Sequence, residues 1–257
     1  APPGSQPRRR SAQRRPRWAL PLCALLLAAV ILTVVLAARF AGKGKALPAG
    51  PPWVIALDAG HGGGDVGATG LIYETELTEQ TVAALYRLLE ADENFTPVLC
   101  RAYDEGKTPR QRALTAKAKG AALLFSIHGN ASEDSSITGF ECFPVPPGRD
   151  WHAESYALAG LVAGEMAAAG ARLRGENGVR YAYYDADGTK WFREASDTLV
   201  YSEESFGVVE YPECMAVLVE QCFITSEADM AKFGTAAGCE AAAQCYYRAI
   251  CRYFETA

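Results

Sequence analysis

Histidine is scarce in this chain: its 257 residues include three, His61, His128 and His152. Any site built on imidazole must draw on those positions. Cysteine occurs eight times but never as C-x-x-C, which excludes a structural zinc finger. Cys23 sits in an apolar stretch. The other seven, an odd number, cannot form a complete intrachain disulfide set, and buried free thiols are expected. Acidic residues are missing altogether before Asp58. Nine of the 25 basic residues precede that point, so the rest of the chain sets 16 basic residues against 30 acidic, a net of −14. Nucleic-acid binding relies on Lys and Arg neutralising phosphates, and so acidic a domain is a poor candidate for it.

Charge is also absent from Trp18 to Ala38, 21 residues dominated by Leu, Ala and Val. That length matches one bilayer span. No face of it is polar, which argues against a soluble helix. Residues 1–17 are rich in Arg, Pro and Ser and read as a basic cytoplasmic tail. Its arginines predict that everything after residue 40 lies outside the cytoplasm. An uncleaved membrane anchor is the expectation. A secretory signal cleaved after Val35-Leu36-Ala37 is the competing one. Residues 39–52 form a Gly/Pro linker, and the globular domain runs from 53 to 257.

The organising stretch of that domain is Val54-Ile55-Ala56-Leu57-Asp58-Ala59-Gly60-His61-Gly62-Gly63-Gly64-Asp65-Val66-Gly67-Ala68. A short apolar run reads as a buried strand, and a glycine-dense turn follows it. Gly62 to Gly67 formally matches G-x-G-x-x-G, but no helix opens inside the glycines to hold a pyrophosphate. The Gly-Lys-Ser/Thr ending of a triphosphate loop is missing as well. A second apolar run, Ala122 to Ile127, ends in His128. Open α/β sheets place ligands at the carboxyl ends of their strands, so two strand-end histidines point to a metal site.

Strand and helix patterns alternate along the domain. A helix is expected over Glu74–Asp92, a strand over Phe95–Arg101 and a helix from Thr108-Pro109 to about Lys119. Strands ending at His128 and spanning Gly139–Val145 follow, then a helix over Asp150–Ala169. Ala216–Phe223 reads as the last central strand and Ala241–Phe254 as a closing helix. This alternation indicates a three-layer α/β domain. Residues 171–212, rich in Tyr, Trp and Phe, fit either a surface hairpin with its own small core or a wall facing the substrate.

A catalytic zinc site uses about three N/O ligands, with a carboxylate nearby to manage the proton. His61 and His128 supply two ligands, and either Glu74 or Glu76 at the next helix start is placed to be the third. Glu220 lies in the apolar run Val217-Leu218-Val219-Glu220, where an ionised carboxylate needs a salt-bridge partner or a task. His152, on a polar helix start, reads as solvated surface.

These residues carry a resemblance. Asp58-Ala59-Gly60-His61-Gly62-Gly63-Gly64-Asp65-Val66-Gly67-Ala68, Ser126-Ile127-His128-Gly129-Asn130-Ala131, Gly139-Phe140-Glu141 and Val217-Leu218-Val219-Glu220-Gln221-Cys222-Phe223-Ile224-Thr225 follow one another in order. Together they resemble the zinc-dependent N-acetylmuramoyl-L-alanine amidases of bacterial cell-wall turnover (the amidase_3 family), over residues 53 to about 255. The resemblance implies a mixed sheet flanked by helices, akin to zinc carboxypeptidases. It implies Zn2+ held by His61, Glu74 and His128, with Glu220 as the catalytic carboxylate. It further implies peptidoglycan as substrate, cut at the amide between N-acetylmuramic acid and L-alanine, in wall remodelling or spore-cortex processing. A membrane-anchored, extracytoplasmic member is the expectation, and whether a protein activator serves it is left open. A wall-binding module without catalysis, or a carboxypeptidase-like peptidase, is the alternative.

Overall fold

The computed structural model describes residues 50–256. The expected basic tail, the span and nearly all of the linker lie outside the described residues. Among the described residues, no helix is long and apolar enough to cross a membrane.

Five strands form the central sheet: β1 (Trp53–Ala59), β2 (Phe95–Leu99), β3 (Leu123–Asn130), β4 (Glu141–Pro144) and β7 (Met215–Phe223), in the order β2-β1-β3-β7-β4. The first four in that order run parallel, and β4 closes the edge antiparallel to β7. The mixed sheet expected from the resemblance is therefore present. Between β4 and β7 the chain makes a separate antiparallel hairpin, β5 (Arg180–Tyr184) with β6 (Lys190–Glu194).

The central strands read as continuous apolar runs because both faces are covered. Alternate side chains serve two cores. Ile55, Leu57, Phe125, Ile127, Val217 and Val219 face a larger core. It is closed by three helices, α1 (Glu74–Glu90), α3 (His152–Ala168) and α5 (Ala236–Phe254). Ala56, Leu124, Ala216 and Leu218 face a smaller core under α2 (Pro109–Ala118) and the single-turn α4 (Gly207–Glu210). On this face the start of α2 and α4 stand beside a cavity at the carboxyl ends of the strands.

Helix ends follow local chemistry. Thr108 caps α2, its Oγ1 accepting from the Gln111 N–H, and Pro109 occupies the first turn, where a missing N–H costs nothing. The closing helix starts at Ala236, five residues before its expected start. Thr235 caps it by accepting from the Gly238 N–H, and a π-helical turn over Met230–Gly234 leads into it. All seven domain cysteines are free and buried, as expected. His152 departs from its expectation. It is half-buried, its Nδ1 lies 2.8 Å from the Val145 carbonyl, and its ring packs against Tyr181. The hairpin expected to be merely one possible fold of residues 171–212 supplies that aromatic neighbour.

Candidate metal and catalytic site

The side chains at the carboxyl ends of β1, β3 and β7 line one cavity of about 930 Å3, shared with the start of α2, the hairpin and α4. His61 follows β1 in the left-handed region, with φ 64°. That conformation costs a non-glycine residue energy, and such strain clusters at functional sites. His128 lies near the end of β3, directly in register with Glu220 of β7. Side chains alternate between faces along a strand, so His128 and Glu220 project from the same face as Ser126 and Leu218, above α2.

Glu74 opens α1 and heads its buried stripe, Leu77, Thr78, Thr81, Val82, Leu85 and Leu89, at helical spacing. The phase of that stripe decides between the two glutamates left open by the residue pattern. Glu74 is turned inward, whereas Glu76 is exposed and its Oε1 accepts from the Tyr73 N–H at the helix start. His61, Glu74 and His128 each present a donor atom, and these atoms lie within 4.8 Å of one another. Glu74 Oε2 is 3.1 Å from His61 Nε2, and Glu74 Oε1 is 2.9 Å from His128 Nδ1. The Ala68 and Gly129 N–H groups donate to the same carboxylate at 2.9 and 3.1 Å.

Two observations favour a cation in this cluster. Asp65, which residue patterning alone did not single out as a site residue, holds His61 Nδ1 at 2.8 Å. A carboxylate on one ring nitrogen turns the other toward the cluster, the usual support of a metal-bound imidazole. Its position four residues after His61 in the glycine turn is the local signal that identifies it. The glycines also make room for the donors. A Cβ at Gly67 would stand 2.6 Å from both Glu74 Oε2 and His61 Cδ2, and one at Gly60 would stand 2.5 Å from His128 Cε1. Two imidazoles and a carboxylate suit zinc.

The electrostatics fit the same arrangement. Hydrogen bonding to Glu74 raises the His61 pKa to about 9, against the opposing effect of burial. Burial works to raise Glu74, but hydrogen bonds to His128 and His61 outweigh it and hold the carboxyl well below the usual range. Glu220 behaves oppositely. The residue is half-buried, yet its Oε2 is enclosed and has no hydrogen-bond partner among the described residues. Burial first, then the Glu74 charge, pushes its carboxyl up to about 8. The salt bridge that could have explained Glu220 structurally is absent among the described residues. Its neighbour across β4, Glu141, is instead the paired one, at 2.5 Å from Arg174 and 2.8 Å from Arg180.

Below the cluster, Asp58 and Arg112 form a buried ion pair at 2.6 Å, and the Ser126 hydroxyl donates to the same Asp58 oxygen at 2.7 Å. This ties α2 to β1 and β3 directly under the cavity. Breaking one side of such a pair would leave an uncompensated buried charge, typically a loss of about 3–5 kcal/mol.

The N-acetylmuramoyl-L-alanine amidase family matches residues 55–252. The chain belongs to that family. Among named amidases, LytC of Bacillus subtilis is 30% identical over 202 residues, covering 78% of this chain and 35% of that protein. CwlM of Bacillus licheniformis is 39% identical over 94 residues, covering 36% of each. The chain spans less than half the length of these two relatives. Solved amidases share the fold. The catalytic domain of CwlV from Bacillus (Paenibacillus) polymyxa aligns at a TM-score of 0.64 with 24% identity, covering 80% of this chain and 99% of that one. An amidase from Clostridium difficile 630 aligns at 0.64 with 22% identity, covering 79% and 97%. At these identities the structural likeness establishes the fold alone.

Proposed function

We propose that this chain hydrolyses the amide between N-acetylmuramic acid and L-alanine of peptidoglycan stem peptides, with His61, Glu74 and His128 holding one zinc ion and Glu220 as the catalytic carboxylate. The observation that carries this reading is the enclosed, unpartnered Oε2 of Glu220 in the same cavity as a three-donor cluster, within a chain of the amidase family. A bound zinc ion supplies a Lewis acid for the lactyl carbonyl and lowers the pKa of water to roughly 7.

The chain's own residues supply the proton handling and the shape. In its ionised form Glu220 Oε2, with no internal partner to compete, accepts a proton from the attacking water. The same carboxyl then delivers a proton to the alanine nitrogen as the C–N bond breaks, leaving a lactyl carboxylate and a free α-amine. Asp65 holds the His61 ring in orientation. Glu74, anchored by two backbone N–H donors, keeps both imidazoles facing one point. Tyr184, Phe206 and Val208 give the cavity an apolar wall.

Residues 1–17, 18–38 and 39–52 are proposed as cytoplasmic tail, membrane anchor and linker, with residues 53–257 as an extracytoplasmic catalytic domain at the bacterial cell membrane. An outward-facing anchor suits a wall substrate. A secreted form is the other outcome. The decisive experiment is mass spectrometry of purified peptidoglycan after digestion by the zinc-loaded chain. New free L-alanine amino termini paired with intact muramic carboxylates support the proposal. Release of internal or carboxyl-terminal amino acids instead would identify a peptidase.

A further inference from the structure

We infer that Lys190, on the hairpin wall of the cavity, reads a free carboxylate on the peptide beyond the scissile alanine, so that acidic stem peptides are the preferred substrate class. This rests on the amidase reading of the same cavity.

Three basic side chains line the cavity: Lys107, Arg112 and Lys190. Two are already neutralised. Lys107 Nζ lies 3.2 Å from Glu105, and Arg112 is paired with Asp58. Lys190 has no carboxylate partner among the described residues. Its ammonium sits over two aromatic rings, 5.6 Å from the Phe192 centroid and 5.3 Å from that of Phe206. Those contacts steady a flexible side chain without cancelling its charge. Lys190 is exposed to solvent on the cavity wall, and an unpaired cation there is open to an incoming anion.

The hairpin is tied rigidly to the catalytic strand, which fixes where that charge stands. Arg180 of β5 pairs with Glu141 of β4, and Glu141 lies directly opposite Glu220. The Cys142 N–H donates to the Gly178 carbonyl at 2.7 Å. Lys190 is the register partner of Tyr184, and both line the cavity. The Lys190 charge is felt at Glu220, where it opposes the dominant effect of burial. On its other side, Phe206 leads into Gly207, which abuts Pro109 at the start of α2. One wall of the cavity thus runs from the hairpin to α2 through Tyr184, Phe206 and Gly207, and Lys190 is the cation on it, close enough to Glu220 for its charge to be felt there.

In stem peptides the residue after alanine is a γ-linked glutamate, whose α-carboxyl is either free or amidated. These two forms differ in the one feature that Lys190 would read. The test uses the zinc-loaded full chain and disaccharide tetrapeptides of each form. Wild-type chain should cleave the free-acid form with a kcat/KM on the order of tenfold higher, as expected for one hydrogen bond to a charged group. Lys190→Met should bring the ratio close to one, mainly through KM for the free-acid form, and Lys190→Arg should restore it. Circular dichroism on each variant confirms that the fold is kept. In parallel, titration of the free-acid and amidated alanyl-glutamyl dipeptides should show the same discrimination in Kd. Equal cleavage of both forms by wild type overturns the inference while leaving the amidase reading intact. A preference that survives in Lys190→Met overturns it too. Cleavage of neither form by wild type overturns the amidase reading itself.

Discussion

His128 and Glu220 stand side by side as register partners on β3 and β7, and between His128 and Asn130 the register shifts in a bulge. The ladder thus sets a candidate metal ligand and the candidate proton carrier next to each other at the edge of regular pairing. Bulges are frequent beside active sites, where they re-aim side chains. Four expectations follow from this arrangement and its surroundings, and a fifth from the sequence before residue 53.

His61→Ala, Glu74→Ala and His128→Ala should each reduce bound zinc from about one per chain to nearly none, measured by metal analysis of the purified protein. Glu76→Ala should keep the zinc. It removes only the acceptor of the Tyr73 N–H, a capping loss of about 0.5–1 kcal/mol. Full occupancy in either histidine variant refutes the ligand assignment.

Glu220→Gln should lower kcat by about 10²–10⁴-fold, the usual weight of a general base. Zinc content should be unchanged, because none of the three donors is touched. Near-normal turnover would remove Glu220 from the mechanism.

Metal-free protein should show a stability penalty at Glu220. Its carboxyl is raised from an ordinary 4.5 to about 8, so between those values the folded chain keeps a proton that the unfolded chain has lost. Stability therefore falls as pH rises through that window. Glu220→Gln cannot titrate, and other groups are common to both chains. With chelator present, the variant should match wild type near pH 4 and exceed it at pH 9. The excess, on the order of 1–3 kcal/mol, is a shift of several degrees in Tm. Parallel pH profiles for the two proteins would contradict the enclosed state of this carboxyl.

Gly67→Ala should weaken zinc binding by tenfold or more, measured by competition with a chromophoric chelator. The new methyl group meets Glu74 and His61, and Gly67 has φ 70°, where an added Cβ costs about 1 kcal/mol. Gly64→Ala is the control, since nothing lies within 4 Å of a Cβ there.

The full chain should fractionate with membranes, and protease added to intact protoplasts should remove the catalytic domain. A soluble extracellular form beginning near Ala38 would instead establish signal cleavage.

Much of this site was legible in local sequence. Apolar runs leading to His61 and His128 announced strand ends, and a glutamate inside Val217-Leu218-Val219-Glu220 announced a carboxylate that needs either a salt-bridge partner or a task. Such signals survive because burial on both faces of a parallel sheet demands unbroken apolar runs, and any exception stands out. Local pattern alone did not decide between Glu74 and Glu76. The four-motif resemblance pointed to Glu74, and the phase of the stripe on α1 shows that side chain turned inward.

Sequence by itself determined the order of the central strands and the long helices, the donor types, the odd count of thiols and the acidic character of the domain, because each depends on composition or on neighbours a few residues apart. Tertiary structure alone decided the rest. Glu74 meets His128 across 54 residues of chain, and Arg112 meets Asp58 across the same separation. Residues 171–212 proved to be both a hairpin with aromatic packing and a wall of the cavity. Its Lys190 gains meaning only from its place in space, on the cavity wall with no carboxylate ion pair among the described residues. His152 reads as surface on its own helix and is half-buried because β5 brings Tyr181 against it. Strand register and helix phase are set by packing between distant segments, and that information belongs to the folded chain rather than to any local window.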